Sequence, residues 1–349
     1  MKIRSIITLA MALMACVVAH AKDYILPEPS QMPNKSQLKQ IERRYGMFIH
    51  FGINTFHDEE WTDGSKPAES YAPTAIDADQ WIKTAKDAGM KYVILITKHH
   101  DGFCLWDSQY TDYDVASSGN QTNVVEAVAK ACKKYGIGLG LYYSLWDRKV
   151  NGDVANTADD AKYNEYMINQ LEELLKMVKK ITPVVEFWFD GGWVKQAYRW
   201  PLLDIYTTIK KAQPECQVGI NWTIGLPENA DTHPVTPDKQ KAGYPIRYFP
   251  SDFRLGDPYL PEDNDPKIFT YSGQNYYMPW ESTVCISGRW FYNTKDNNYK
   301  SLDELEKLYR RCTKNSNILI INCPPNREGR LRDGDVELLK QLRERLNLK

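Results

Sequence analysis

Histidines, a tryptophan-flanked carboxylate and several large aromatic residues sit at equivalent places in this chain, at or just after short apolar runs. His50 falls within "YGMFIHFGI" (45–53), His99-His100-Asp101 follows "KYVILIT" (91–97), and Trp106 comes soon after. Tyr143 lies in "IGLGLYYS" (137–144) and Asp190 ends "VVEFWFD" (184–190). Asp190 is the most demanding: a carboxylate set directly after Phe-Trp-Phe needs hydrogen-bond donors or meets a heavy desolvation cost. Aromatic faces, imidazoles and carboxylates fit the handling of a sugar ring. There is no phosphate-binding glycine motif, and no third ligand stands at familiar metal spacing from the His99-His100 pair. Glycoside cleavage needs two carboxyl groups across the ring, one attacking or activating water and one protonating the leaving oxygen. Asp190 supplies the first; the second is expected from the polar stretch 223–281 or the strands after it, where Trp280-Glu281 precedes an apolar run. Each residue also has a plain structural reading. His50 is a satisfied core histidine, Trp106 and Tyr143 are core, Glu281 is a solvated loop charge, and Asp190 caps the next helix. On a strand, only one of His99 and His100 faces inward.

The elements that would position these groups alternate. Apolar runs at 45–53, 91–97, 137–144, 184–190, 216–222 and 317–324 are separated by amphipathic stretches such as "DADQWIKTAKDAGM" and "NVVEAVAKACKKYG". Strands apolar on both faces and alternating with helices imply a parallel sheet and an α/β fold. Two more strands are expected near "YPIRYF" and "STVCIS". Eight would close a (β/α)8 TIM-type barrel, with functional groups gathered at the C-terminal strand ends. An open doubly wound sheet is the alternative, but no G-x-G-x-x-G follows the first strand.

Composition narrows the class. With 44 basic and 45 acidic side chains, a net charge of -1 and no long basic run, the chain has no field to attract nucleic acid. Residues 1–21 read as a secretory signal: Lys2 and Arg4, an apolar run from Ile6 to Val18, and Ala19-His20-Ala21 as the cleavage site. The apolar run is short for a membrane span. "LMAC" ending at Cys16 is the rival reading, a lipoprotein anchor. Residues 22–349 then form one catalytic barrel in an exported protein, periplasmic or secreted. The six cysteines after residue 21 are scattered, with no C-x-x-C pair, which argues against a zinc site.

The sequence resembles glycoside hydrolase family 29, the retaining α-L-fucosidases, from about Tyr45 to Arg330. The resemblance rests on "YGMFIHFGINTF", "EEWTDG", "KHHDGFCLWDS", "EFWFDGGW", "PWESTV" and "NILIINCPPNREG". It implies a barrel that removes terminal α-L-fucose from fucosylated oligosaccharides or glycoconjugates through a covalent glycosyl-aspartate, with no metal or organic cofactor. It implies Asp190 as the nucleophile, and His50, Glu60, Trp61, His99, His100, Trp106 and Tyr143 around the sugar. Trp188 and Trp193 are expected to wall the ring. Imidazole N–H groups are expected to hold the pKa of Asp190 low, and Gly191 and Gly192 to let backbone and substrate approach closely. Aligning "SDFRLGDPYLP" with the family's acid/base stretch puts Asp257 first for that role. Glu281 stands second, beside Trp280 as a sugar contact, and Asp252 third. "GINWTIGLP" departs from the family's usual pattern after the fifth strand, and the appended β-sandwich common in the family is not expected. Hydrolysis of a related α-L-glycoside such as an α-L-galactoside, or a fucose-binding barrel with weakened catalysis, are the alternatives.

Overall fold

The computed structural model describes residues 23–150, 160–195 and 198–348; the signal-peptide and Cys16 readings lie outside these residues. Eight strands form one parallel sheet: β1 (Tyr45–Ile49), β2 (Tyr92–Lys98), β3 (Gly138–Ser144), β4 (Val184–Asp190), β5 (Gln217–Ile220), β6 (Phe253–Arg254), β9 (Glu281–Cys285) and β10 (Ile318–Asn322). Hydrogen-bonded neighbours run β6-β5-β4-β3-β2-β1-β10-β9. The seam between β6 and β9 is closed by a parallel bridge between Arg254 and Trp280, with the Arg254 N–H on the Pro279 carbonyl at 3.0 Å. The buried Arg254 guanidinium fills that seam, lying 4.7 Å from the centre of the Trp280 ring and pairing with Asp265. This is the expected eight-stranded barrel.

Helices cover the outside where the sequence alternates. α1 (Lys35–Arg43) precedes β1, and α2 (Ala78–Asp87), α3 (Val124–Tyr135), α4 (Ala161–Lys179) and α5 (Leu202–Ala212) follow β1 to β4. α6 (Leu302–Lys314) links β9 to β10, and α7 (Asp333–Leu346) follows β10. Their starts are set by side chains that accept otherwise unpaired N–H groups: Asp77 for α2, Asn123 for α3, Asp160 for α4 and Ser301 for α6. In α3, Val124, Val125, Val128, Ala129 and Cys132 form the buried stripe against the sheet.

Among the described residues no α-helix follows β5 or β6. There the chain makes a long excursion that includes an antiparallel hairpin, β7 (Ile268–Tyr271) and β8 (Gln274–Tyr277), with its own apolar cluster of Ile224, Ile246, Phe269, Tyr276 and Met278. This corrects one expectation. "YPIRYF" is not a barrel strand; its Pro245 and Ile246 bridge to Thr270 and Ile224 in the excursion. The sixth strand is the two-residue Phe253–Arg254, too short to stand out as an apolar run. The six cysteines in the described residues are all free thiols, and no described helix is long and apolar enough to cross a membrane.

Candidate active site

Alternation along the strands decides which side chains enter the barrel. On β4, Glu186, Trp188 and Asp190 share the inner face. Trp188 joins Phe48, Ile94, Tyr142 and Ile320 in the interior cluster, while Phe187 and Phe189 pack outward against the helices. Asp190, the last residue of β4, reaches a cavity of about 340 Å³ at the C-terminal ends of the strands. Its lining includes His50, Glu60, Trp61, His99, His100, Trp188, Asp190 and Asp257, brought together from widely separated positions. Trp193, named as a wall residue, also lines it. A larger groove of about 930 Å³ lies between α4 and α5, but it gathers no histidine and no cluster of buried carboxyls.

Asp190 is held by three donors. Its Oδ1 accepts the Gly191 N–H at 2.9 Å and the Asn221 amide at 3.0 Å, and its Oδ2 accepts the Tyr142 hydroxyl at 2.8 Å. Burial nonetheless dominates and pushes its pKa up to about 6. This corrects the expectation of a low pKa sustained by imidazoles. His100 Nδ1 bonds Ser144 Oγ at 2.7 Å, and that hydroxyl donates onward to the Trp146 carbonyl, so the proton sits on Nδ1. His100 Nε2, 3.7 Å from Asp190 Oδ2, is left as an acceptor. His50 repeats the pattern: its Nδ1 lies 2.7 Å from Asn322 Oδ1, and the Asn322 amide is engaged by the Trp290 carbonyl. Burial drives the pKa of His50 and His100 to about 3 and that of His99 well down, so all three rings are neutral near pH 7.

Both His99 and His100 line the cavity because β2 ends at Lys98, and strand alternation no longer applies beyond it. The turn that carries them is fixed from below. Lys98 and Asp147 form a fully buried ion pair at 2.8 Å, and Asp101 accepts from Asn54 at 3.0 Å and from the Phe103 N–H at 2.7 Å. The two imidazoles and Asp190 offer ligand atoms within 4.8 Å of one another, a geometry a divalent transition metal could occupy. Glu60 is oriented by the Trp290 and Phe291 N–H groups, and burial raises its pKa. Trp61 stands at the rim, 49% exposed, edge-on to His100.

Asp257 belongs to the same network. The Asn221 amide that reaches Asp190 also reaches Asp257 Oδ1 at 3.4 Å, while Asn221 Oδ1 accepts the Trp222 and Asp257 N–H groups at 3.0 and 3.3 Å. These backbone donors fix which way the amide points. Burial, then the neighbouring Asp190 charge, raises Asp257 to about 7. Because one NH2 group reaches both Oδ1 atoms, those oxygens cannot stand as far apart as the roughly 6.5–9.5 Å of inverting pairs.

Five named residues are not in the cavity. Glu281 opens β9, at the opposite end of the barrel, where its carboxyl accepts from Tyr92 at 2.6 Å and meets Glu186, itself paired with Arg43 at 2.7 Å. Trp280, the residue before it, packs on Arg254. Trp106 is buried with its indole N–H on Glu173 at 3.1 Å. Tyr143 points outward to Gln170, at 2.7 Å. Asp252, the third acid candidate, binds Lys210 and Tyr206 outside the cavity. Tyr142 and Trp290 in the cavity, and Asn221 holding the two carboxyls, are site residues that the sequence does not single out. Tyr142 was findable: Asp190 faces inward, and in the parallel register its β3 partner is Ser144, which puts Tyr142 rather than Tyr143 on the inner face. Gly191 and Gly192 let neighbouring chain approach closely, as expected. Gly191 has φ 76°, and a Cβ there would lie 2.8 Å from Trp146; one on Gly192 would lie 3.0 Å from the Tyr248 hydroxyl. Protein packing alone is enough to demand a glycine at both positions.

A family model described as alpha-L-fucosidase matches residues 60–348. Alpha-L-fucosidase 1 of Arabidopsis thaliana is 31% identical over 343 residues, covering 95% of this chain and 64% of that protein. The chain thus spans a little under two thirds of that relative. Among solved structures, SpGH29 superimposes with a TM-score of 0.70 at 27% identity, covering 93% of this chain and 70% of the other. A glycoside hydrolase 29 family member from an unknown rumen bacterium gives 0.69 at 25% identity, covering 92% and 58%. Barrel, cavity and family model agree: this chain belongs to the alpha-L-fucosidase family, glycoside hydrolase family 29.

Proposed function

We propose that the chain is a retaining α-L-fucosidase, with Asp190 as nucleophile and Asp257 as acid/base. The observation that carries the reading is the Asn221 amide, which ties both carboxyls into one pocket, too close together for the wide spacing of inverting pairs. The ordering of the two pKa values supports the division of labour. Between about 6 and about 7, Asp190 is ionised and Asp257 still holds its proton. Asp190 Oδ2 attacks C1 from the β face, the C1–O bond breaks, and the Asp257 proton passes to the leaving oxygen. Asp257, now a base, takes a proton from water; that water attacks C1 from the α face and releases Asp190, returning the α-anomer. Neutral His50 and His100, each with an acceptor nitrogen left over, suit sugar hydroxyl donors, and the Trp188 indole N–H, buried without a partner, suits a hydroxyl acceptor. Phe48, Tyr142 and Trp188 give an apolar floor for the 6-methyl group. Fucosylated glycans are the proposed substrates. The signal-like residues 1–21 support export to the periplasm or medium.

The test is hydrolysis of an aryl α-L-fucoside by wild type, Asp190→Ala and Asp257→Ala, with azide. Asp190→Ala is expected to lose turnover and to give β-fucosyl azide on rescue; Asp257→Ala is expected to give the α-azide. An Asp190→Ala protein with near-normal turnover overturns the assignment.

A further inference from the structure

We propose that Trp222 is the platform of a leaving-group subsite, an indole face that holds the pyranose departing from the glycosidic oxygen; this rests on the fucosidase reading above. Trp222 is a bulky residue in the left-handed region, φ 60°. That conformation is disfavoured for any side chain with a Cβ and persists only where the surroundings enforce it. They do so here on both sides. The Trp222 N–H is bound by Asn221 Oδ1 at 3.0 Å. Next in the chain, Thr223 donates to the Ile220 carbonyl at 2.5 Å and accepts the Leu255 N–H at 3.0 Å, and its own carbonyl receives the Arg247 N–H at 2.7 Å. The outcome of this constraint is an indole on the cavity wall, partly exposed, and braced edge-on by Tyr259 at 5.8 Å between ring centres.

Its place on the wall decides what it meets. Asn221 Oδ1 takes the N–H groups of both Trp222 and Asp257, so the indole and the proton donor are fixed to one amide on one side of the cavity. The group that protonates the glycosidic oxygen stands next to the sugar that leaves with it. The histidines come from β1 and β2, whereas Asn221 and Asp257 come from the ends of β5 and β6. A departing pyranose therefore has the indole beside it, and the C–H face of a sugar against the electron-rich face of an indole is a favourable contact.

The experiment compares α-L-fucosyl fluoride, whose leaving group has no ring and needs little protonation, with an α-L-fucosyl-galactose disaccharide. Trp222→Gly removes the indole and accepts the left-handed backbone; Trp222→Phe keeps a ring. For Trp222→Gly, kcat/KM on the fluoride is expected to stay within about twofold. On the disaccharide it is expected to fall roughly three- to tenfold, mostly in KM, with partial recovery in Trp222→Phe. Should the glycine variant not fold, a wild-type-like fluoride rate with a raised disaccharide KM in Trp222→Leu carries the same weight. Equal loss on both substrates, or loss on neither, overturns the subsite. A wild-type protein that turns over neither substrate overturns the fucosidase reading and the subsite with it.

Discussion

Replacing Asn221 by alanine probes the site at its most connected point. The amide donates to Asp190 at 3.0 Å and to Asp257 at 3.4 Å. A hydrogen bond to a charged group contributes about 1.5–3 kcal/mol, and one pKa unit corresponds to about 1.36 kcal/mol, so losing the shorter bond raises the Asp190 pKa by about one to two units. Starting from about 6, the acidic limb of the kcat/KM profile moves above neutrality. At pH 6 the ionised fraction of the nucleophile then falls from roughly a half to roughly 1–10%, a loss of about five- to fiftyfold that shrinks as the pH is raised. The assay is kcat/KM from pH 4.5 to 9 on an aryl fucoside with a good leaving group, which isolates the nucleophile from the acid. Asn221→Asp serves as a second arm. It keeps an oxygen for the Trp222 and Asp257 N–H groups but puts a third carboxyl beside Asp190, and it is expected to shift the limb at least as far. An Asn221→Ala profile that superimposes on wild type, or a loss that is the same at every pH, refutes the reasoning.

The wild-type profile itself is expected to be a narrow bell for kcat/KM with limbs near 6 and 7, read as properties of the Asp190–Asp257 pair. Tyr142→Phe removes the donor to Asp190 Oδ2 and is expected to raise the acidic limb and lower kcat about tenfold. Tyr143→Phe is expected to leave kinetics unchanged and lower stability by about 1 kcal/mol in a urea melt. Glu281→Gln is expected to keep wild-type turnover, because its carboxyl lies at the far end of the barrel from Asp190. Arg43→Met leaves Glu186 buried without its partner and is expected to cost about 3–5 kcal/mol at neutral pH. Burial raises the folded pKa of Glu186 above its unfolded value, so the protonated form is the tolerated one. The Arg43→Met loss should therefore grow as pH rises through the carboxyl range and fade in acid. Excess Zn2+ is expected to inhibit competitively at His99, His100 and Asp190, with recovery on adding chelator.

Much of this was legible in the chain. Six of the strands coincide with short apolar runs, most of them set between amphipathic helices, so they announce themselves, and their ends deliver His50, His99-His100 and Asp190 without any knowledge of tertiary contacts. What failed has identifiable causes. β6 has only two residues, Phe253 and Arg254, so no periodicity marks it. Tyr142 and Tyr143 are chemically equal, and only the inward parity of Asp190, carried across the β3–β4 register, separates them. Glu281 and Asp257 both precede or follow apolar segments; which end of a parallel strand each occupies decides that one meets Arg43 and Glu186 and the other meets Asp190. Asn221 carries no signal in the sequence, because its role exists only when β4, β5 and the chain after β6 meet.

The most direct test is covalent. A 2-deoxy-2-fluoro fucosyl fluoride should inactivate the protein in step with formation of a stable adduct, and peptide mapping by mass spectrometry should place that adduct on Asp190. An adduct on any other residue, or inactivation by this reagent without an adduct, contradicts the account.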